Sequence, residues 1–175
     1  MRYVALLRGI NVTGNNMISM EELRAVFESL GFSRVTSYIN SGNLAFDVRA
    51  AAEPSLIAKI EKGIKEHFST SVQVMVRPQK DIASILANNP FDGEFESHKE
   101  MHVLFLKEEM PTAKVDIVLA AVPEMERCVF RGREIYCHLP MGVAESLLGR
   151  GLVERKAKVP VTARNWRTVQ KLADL

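Results

Sequence analysis

Val35-Thr-Ser-Tyr-Ile-Asn-Ser-Gly-Asn-Leu-Ala-Phe-Asp-Val48 alternates apolar and polar side chains on both sides of a Ser41-Gly42 dipeptide. Successive side chains leave a strand on opposite faces, so alternation at period two marks a half-buried strand. With Ser41-Gly42 as a two-residue turn, Ile39 stands opposite Leu44, Ser37 opposite Phe46 and Val35 opposite Val48. The other face then carries Thr36, Tyr38, Asn40, Asn43, Ala45 and Asp47. One register sorts apolar from polar on both strands, which predicts a hairpin with one face in the core.

The elements on either side complete a unit. Upstream, a strand is predicted over about Tyr3 to Arg8, then a Gly/Asn-rich loop from Gly9 to Asn16, then a helix. Ser19 and Glu22 stand at capping-box spacing; Leu23, Val26, Phe27 and Leu30 form its apolar stripe, and Gly31 stops it. Downstream, Leu56, Ile57, Ile60 and Ile64 predict a helix over Pro54 to Phe68, followed by a strand at Val72 to Val76. The order β-α-β-β-α-β is the ferredoxin-like, split βαβ arrangement.

A short helix at Asp81 to Ala87 and a polar loop from Asn88 to Glu100, broken by Pro90 and Gly93, lead into a second series. It reads as strand His102–Leu106, helix Thr112–Ala121, strand Arg127–Phe130 and strand Glu134–Leu139. Two short helical turns broken by Gly149 and Gly151 follow, and after Pro160 a terminal helix begins near Thr162. The expected fold is therefore α+β, two ferredoxin-like βαββα(β) halves in tandem with a C-terminal helix. The expected divisions are 1–77, a connecting helix and polar loop at 78–100, and 101–175.

Composition narrows the functional classes. The 175 residues suffice for a sizeable core, and 47% hydrophobic with 25% charged residues is ordinary for a globular chain. A net charge of +2 predicts no broad nucleic-acid or membrane footprint. No apolar run approaches the roughly 18 residues of a membrane span, and the apolar start is too short for a signal peptide, so a cytoplasmic protein is expected. Cys128 and Cys137 form no disulfide framework or zinc spacing. His98 and His102 straddle a loop and a strand start, so no metal site is expected.

Three segments carry a resemblance: Ala5-Leu-Leu-Arg-Gly-Ile-Asn-Val12, Tyr38-Ile-Asn-Ser-Gly-Asn43, and Thr162-Ala-Arg-Asn-Trp-Arg-Thr-Val169 with Lys171-Leu172. Their order and spacing resemble a bacterial family known as domain of unknown function 1697. The resemblance implies two ferredoxin-like halves and no established activity, cofactor or substrate. At Ser146-Leu147-Leu148 this chain has leucine where the family tends to carry a lysine, so any ligand contact made by that lysine is missing here.

Three places suit a ligand. The loop Arg8 to Asn16 joins a strand to a helix: its glycines permit positive φ and close approach, helix-start amides suit an anion, and Arg8 suits phosphate or carboxylate. It matches neither the P-loop nor the dinucleotide fingerprint. The alternative is a tight turn satisfying its own backbone. On the terminal helix, with Thr162 as N-cap, Trp166, Val169 and Leu172 form a buried stripe, and Arg164, Arg167 and Lys171 lie along the other side. The polar face of the hairpin is the third place. The ligand-contacting set is Arg8, Gly9, Asn11 and Asn15, then Tyr38, Ser41 and Asn43, then Arg164 and Asn165.

The favoured partner is a small anionic or phosphate-bearing ligand, held jointly by Arg8 and Arg164. Single-stranded nucleic acid is the alternative, weakened because Asn43 and Ala45 stand where stacking aromatics belong. A protein-interaction role is the third reading. A Gly132-Arg133 turn pairs Cys128 with Cys137 in a non-hydrogen-bonded pair, α-carbons about 4.5 Å apart, read as two packed thiols, with a disulfide redox switch as the alternative. No catalytic constellation stands out, and no cofactor is expected.

Overall fold

The computed structural model describes residues 1–175. The chain divides into two compact units, Met1–Ser84 with Lys171–Leu175, and Ile85–Gln170. In the first, β1 (Arg2–Leu7), α1 (Met20–Ser29), β2 (Ser33–Tyr38), β3 (Asn43–Asp47), α2 (Glu53–Phe68) and β4 (Val74–Pro78) follow in order. All strand pairs are antiparallel, in the order β2-β3-β1-β4. α3 (Gln79–Ala87) leads out of this unit.

Alternation in β1 sends Tyr3, Ala5 and Leu7 into one core with Leu23 and Phe27 of α1, Leu44 and Phe46 of β3, and Leu56, Ile60 and Ile64 of α2. Phe46 anchors it, stacked on Phe32 at 4.3 Å and met edge-on by Phe27 at 5.4 Å. Arg2 binds the returning C-terminus, donating to the Leu175 carbonyl from Nε at 2.9 Å and Nη2 at 2.7 Å.

The hairpin differs in register from the expectation. Tyr38 pairs with Asn43, Ser37 with Leu44 and Thr36 with Ala45, so the connection is the four residues Ile39 to Gly42. The slip is by two residues, an even number that keeps the paired side chains on their faces, so Leu44 and Phe46 still enter the core. The reason is a contact with β1. Gly42 (φ +84°) packs so tightly that an added Cβ would lie 2.7 Å from Leu7 Cβ, and its carbonyl accepts from Leu7 N at 2.9 Å. Gly42 is thereby fixed against β1, and Ile39, at φ 51°, ends 53% exposed in the turn.

The second unit holds β5 (Met101–Leu106), α4 (Thr112–Ala121), β6 (Arg127–Arg131), β7 (Glu134–His138), α5 (Leu152–Ala157) and β8 (Val161–Asn165). Its antiparallel order, β6-β7-β5-β8, repeats that of the first sheet. Residues 88–100 contain no helix or strand. β8 corrects the sequence reading: Val161–Asn165 pairs with β5, so Thr162 is a strand residue and not a helix cap. α6 (Trp166–Ala173) starts four residues later than expected, and Asn165 Oδ1 caps it by accepting from Thr168 N at 3.0 Å. Trp166, Val169 and Leu172 are its buried stripe, as the spacing predicts. With β8 the second half is the complete β-α-β-β-α-β unit. No helix is long and apolar enough to cross a membrane.

Candidate functional site

Three connections meet at one end of the first sheet. Arg8 N donates to Gln73 O at 2.9 Å, joining the β1–α1 loop to the α2–β4 loop. The β1–α1 loop folds back on itself: Asn11 N donates to Asn16 O at 3.1 Å and Asn15 N to Val12 O at 2.9 Å. Thr13 (φ 46°) and Gly14 (φ 79°) form its tip in the left-handed conformation that two-residue turns use.

Asn11 is the clasp. Its Nδ2 donates to Ile18 O at 3.0 Å and Asn40 O at 2.8 Å, and its Oδ1 accepts from Ile18 N at 2.7 Å. Asn16 adds a second stitch, donating from Nδ2 to Gly9 O at 3.2 Å and accepting from Thr70 Oγ1 at 3.2 Å. These amides hold the loop in shape. Asn11→Ala removes three bonds and strands partly buried groups, so chemical denaturation is expected to show a loss of about 2 kcal/mol.

Tyr38, Ser41 and Asn43 belong to the neighbouring hairpin. Asn43 is fully buried, and its Nδ2 donates to Tyr38 O at 3.1 Å and Ser41 Oγ at 3.0 Å. Ala45 beside it is buried too, so no exposed aromatic platform exists at those positions. The start of α1 offers less to an anion than expected. Ser19 Oγ already accepts from Glu22 N at 3.3 Å, and Glu21 and Glu22 occupy the first turn.

What the sequence did not single out is a 490 Å³ cavity lined by Ala58, Glu61, Lys62, Lys65, Ser71, Val72 and Gln73. Glu61 Oε1 accepts from Val74 N at 2.9 Å, which ties that carboxylate to β4. Lys62 Nζ lies 3.7 Å from Glu66 Oε1, both well exposed, a contact of small energy. The cavity is therefore lined by two lysines, a serine and a glutamine beside the Glu61 carboxylate tied to β4, and Arg8 begins the loop bonded to its Gln73 rim.

The family model described as protein of unknown function (DUF1697) matches residues 1–136. The chain belongs to the DUF1697 family. It is also similar to the solved structure of the conserved bacterial protein SP0830 from Streptococcus pneumoniae, at 27% identity and a TM-score of 0.74 over 99% of this chain and 97% of that one. No curated protein matches it.

Two further expected residues of this DUF1697 chain lie in its second unit. Arg164, a β8 residue, is buried, with Nη1 donating to Thr162 Oγ1 at 2.7 Å and Ala163 O at 2.8 Å. Burial brings its pKa down to about 10. Asn165 caps α6. Arg167 and Lys171 are exposed on α6, so only these two of the three expected cations form a helical surface pair.

The cysteine expectation holds in register: Cys128 pairs with Cys137, and both are free thiols. His102 pairs with Cys137 on one side and Asn165 on the other, so Cys128, Cys137, His102 and Asn165 form one row across the sheet. Burial, with Glu126 nearby, raises Cys128 to about 11, and burial raises Cys137 well above its ordinary value. Burial, with the charge of His98, lowers His102 to about 4. Thiol raised and imidazole lowered is the reverse of a thiolate–imidazolium pair. No three of the His, Cys, Asp and Glu side chains gather in a metal-holding cluster.

Proposed function

We propose that this DUF1697 chain binds a small anionic or phosphate-bearing ligand at the loop end of its first unit. The observation that carries the reading is the 490 Å³ cavity with Lys62, Lys65, Ser71 and Gln73, whose one carboxylate, Glu61, is tied to Val74 N, abutting the loop that begins at Arg8. Two ammonium groups supply charge without fixed geometry, and hydroxyl and amide groups supply direction; together they suit a phosphoryl or carboxylate group. The Asn11 and Asn16 bonds hold the adjoining loop in place before a ligand arrives, which lowers the ordering cost of binding. Asn11, Asn43 and Ser41 serve this site by shaping it.

A thermal-shift screen of the full chain against inorganic phosphate, nucleotides, sugar phosphates and dicarboxylates tests the reading. A ligand at about 100 times its dissociation constant adds roughly 2.7 kcal/mol, a rise of several degrees for a chain of this size. The rise is expected to vanish in Lys65→Ala and to shrink in Arg8→Ala. No rise with any anion contradicts the proposal.

A further inference from the structure

β6 is an edge strand, with β7 as its only sheet neighbour. Counting back from the Gly132-Arg133 turn, the Arg131:Glu134, Val129:Tyr136 and Arg127:His138 pairs use the ladder hydrogen bonds. The backbone N–H and C=O groups of Cys128 and Phe130 therefore point away from the sheet. Cys128, Val129 and Phe130 are half-buried, and Arg127 and Arg131 at the two ends are exposed. The first unit's edge strand β2 is different: it is interrupted by a register shift between Ser33 and Thr36 and is mostly polar, both of which discourage added strands. β6 runs unbroken.

Beside this edge lies a cavity of 410 Å³, walled by Phe91, Leu119, Val122, Pro123 and Val129, with Cys128 and Arg127 contributed by β6 itself and Glu124 and Glu126 completing the lining. Glu126 is committed, accepting from Leu147 N at 2.6 Å and Leu148 N at 3.0 Å. Two of the apolar side chains in this region are well exposed, Leu119 at 45% and Met125 at 72%. An open strand edge next to an apolar pocket is the arrangement by which domains take up an extended peptide: main-chain bonds hold it and the pocket selects a side chain.

The charges at the two ends choose the occupant. Pairing β6 with a second copy of itself, antiparallel about Val129, sets Arg127 against Arg131 twice, and like charges directly opposite destabilise a pair. A strand with acidic residues at those positions is attracted instead. Arg131 is held in place by its bond to Asn88 O and by the Tyr136 ring, 5.9 Å from its guanidinium. Arg127 stacks over Phe91 at 4.8 Å and bonds Glu94 at 2.8 Å, a half-exposed pair that an incoming carboxylate can replace. We propose that β6 and the adjoining cavity accept an extended peptide segment as a fifth strand, its acidic residues facing Arg127 and Arg131 and an apolar residue between them entering the cavity.

Fluorescence anisotropy of the full chain with a labelled peptide of core Glu-Val-Thr-Leu-Glu tests this, the first Glu opposite Arg131 and the Leu opposite Cys128. N-methylation of the Val and Leu amides, which face β6, is expected to weaken binding at least about tenfold, whereas N-methylation of the Thr amide, which points away, leaves it unchanged. A Lys-Val-Thr-Leu-Lys core is expected to bind about tenfold more weakly, and Arg131→Glu to narrow or reverse that preference. The N-methyl comparison leaves the protein unaltered, so it stands whatever the variant does to folding. The proposal is overturned by equal affinity of the methyl isomers, by indifference to peptide charge, by no binding, or by a concentration-dependent dimer of the chain that excludes the peptide.

Discussion

Gly149→Ala is expected to cost about 3 kcal/mol and to melt the second unit several degrees early. A Cβ at this position would lie 2.1 Å from Val143 O and 2.5 Å from Val143 Cγ2. The first is a backbone atom and has nowhere to rotate. The same turn is laced by Ser146, which is fully buried. Its Oγ donates to Val143 O at 3.2 Å and accepts from Gly149 N at 2.8 Å, so moving Val143 breaks both bonds. The neighbouring Leu147 and Leu148 amides hold Glu126, which carries the disturbance to the start of β6. Gly14→Ala is the contrast. Gly14 has φ +79° and nothing within 4 Å of a built Cβ, so only the left-handed conformation is penalised, about 1 kcal/mol. Urea titrations of the two variants measure the difference; equal losses would show that crowding at Gly149 is relieved by a shift of the turn.

Acid is expected to weaken the protein through His102 before its carboxylates titrate. The imidazole is buried, its Nδ1 has no hydrogen-bond partner, and burial first, then the charge of His98, lowers its pKa from 6.5 to about 4. The unfolded chain takes up this proton near pH 6.5 and the folded chain does not, so the neutral imidazole's contribution is full above that value and is lost as pH falls from 6.5 toward 4. By pH 5 the loss is about 2 kcal/mol. Unfolding free energy measured from pH 7.5 to 5 is expected to fall along that curve in the parent and to stay flatter in His102→Gln. Parallel curves for the two proteins would remove His102 as the cause.

The sequence made the elements legible where one period ruled. Leu56, Ile60 and Ile64 of α2, and Leu23, Val26 and Phe27 of α1, sit at helical spacing and are buried. The Cys128–Cys137 pair was legible because Gly132 leaves one turn geometry. β8 was hidden for the opposite reason. Its five residues include Thr162 and Arg164, both buried polar side chains whose mutual bond no periodicity announces, and the buried Trp166, Val169 and Leu172 extend a helical pattern backwards over them. The hairpin turn was misplaced because Gly42 is required by the closeness of Leu7, a contact between strands distant in sequence.

For the proposed site, Arg8, Gly9, Asn11 and Asn15 were expected from the loop's composition, but the clasp made by Asn11 was not. Which acceptors an asparagine reaches depends on where Asn40 and Ile18 lie in space. Lys62 and Lys65 gave no signal. On a helix whose other side is Leu56, Ile60 and Ile64, two lysines read as a solvated face until the Ser71–Gln73 loop closes a cavity beside them.

The most direct test is amide chemical-shift mapping of the uniformly ¹⁵N-labelled chain during titration with inorganic phosphate, repeated with chloride at equal ionic strength. Saturable shifts are expected with phosphate alone, centred on Ser71 to Gln73, Lys62 to Lys65 and the Arg8–Asn16 loop. Shifts that never saturate, that chloride reproduces, or that fall away from those three segments would contradict it.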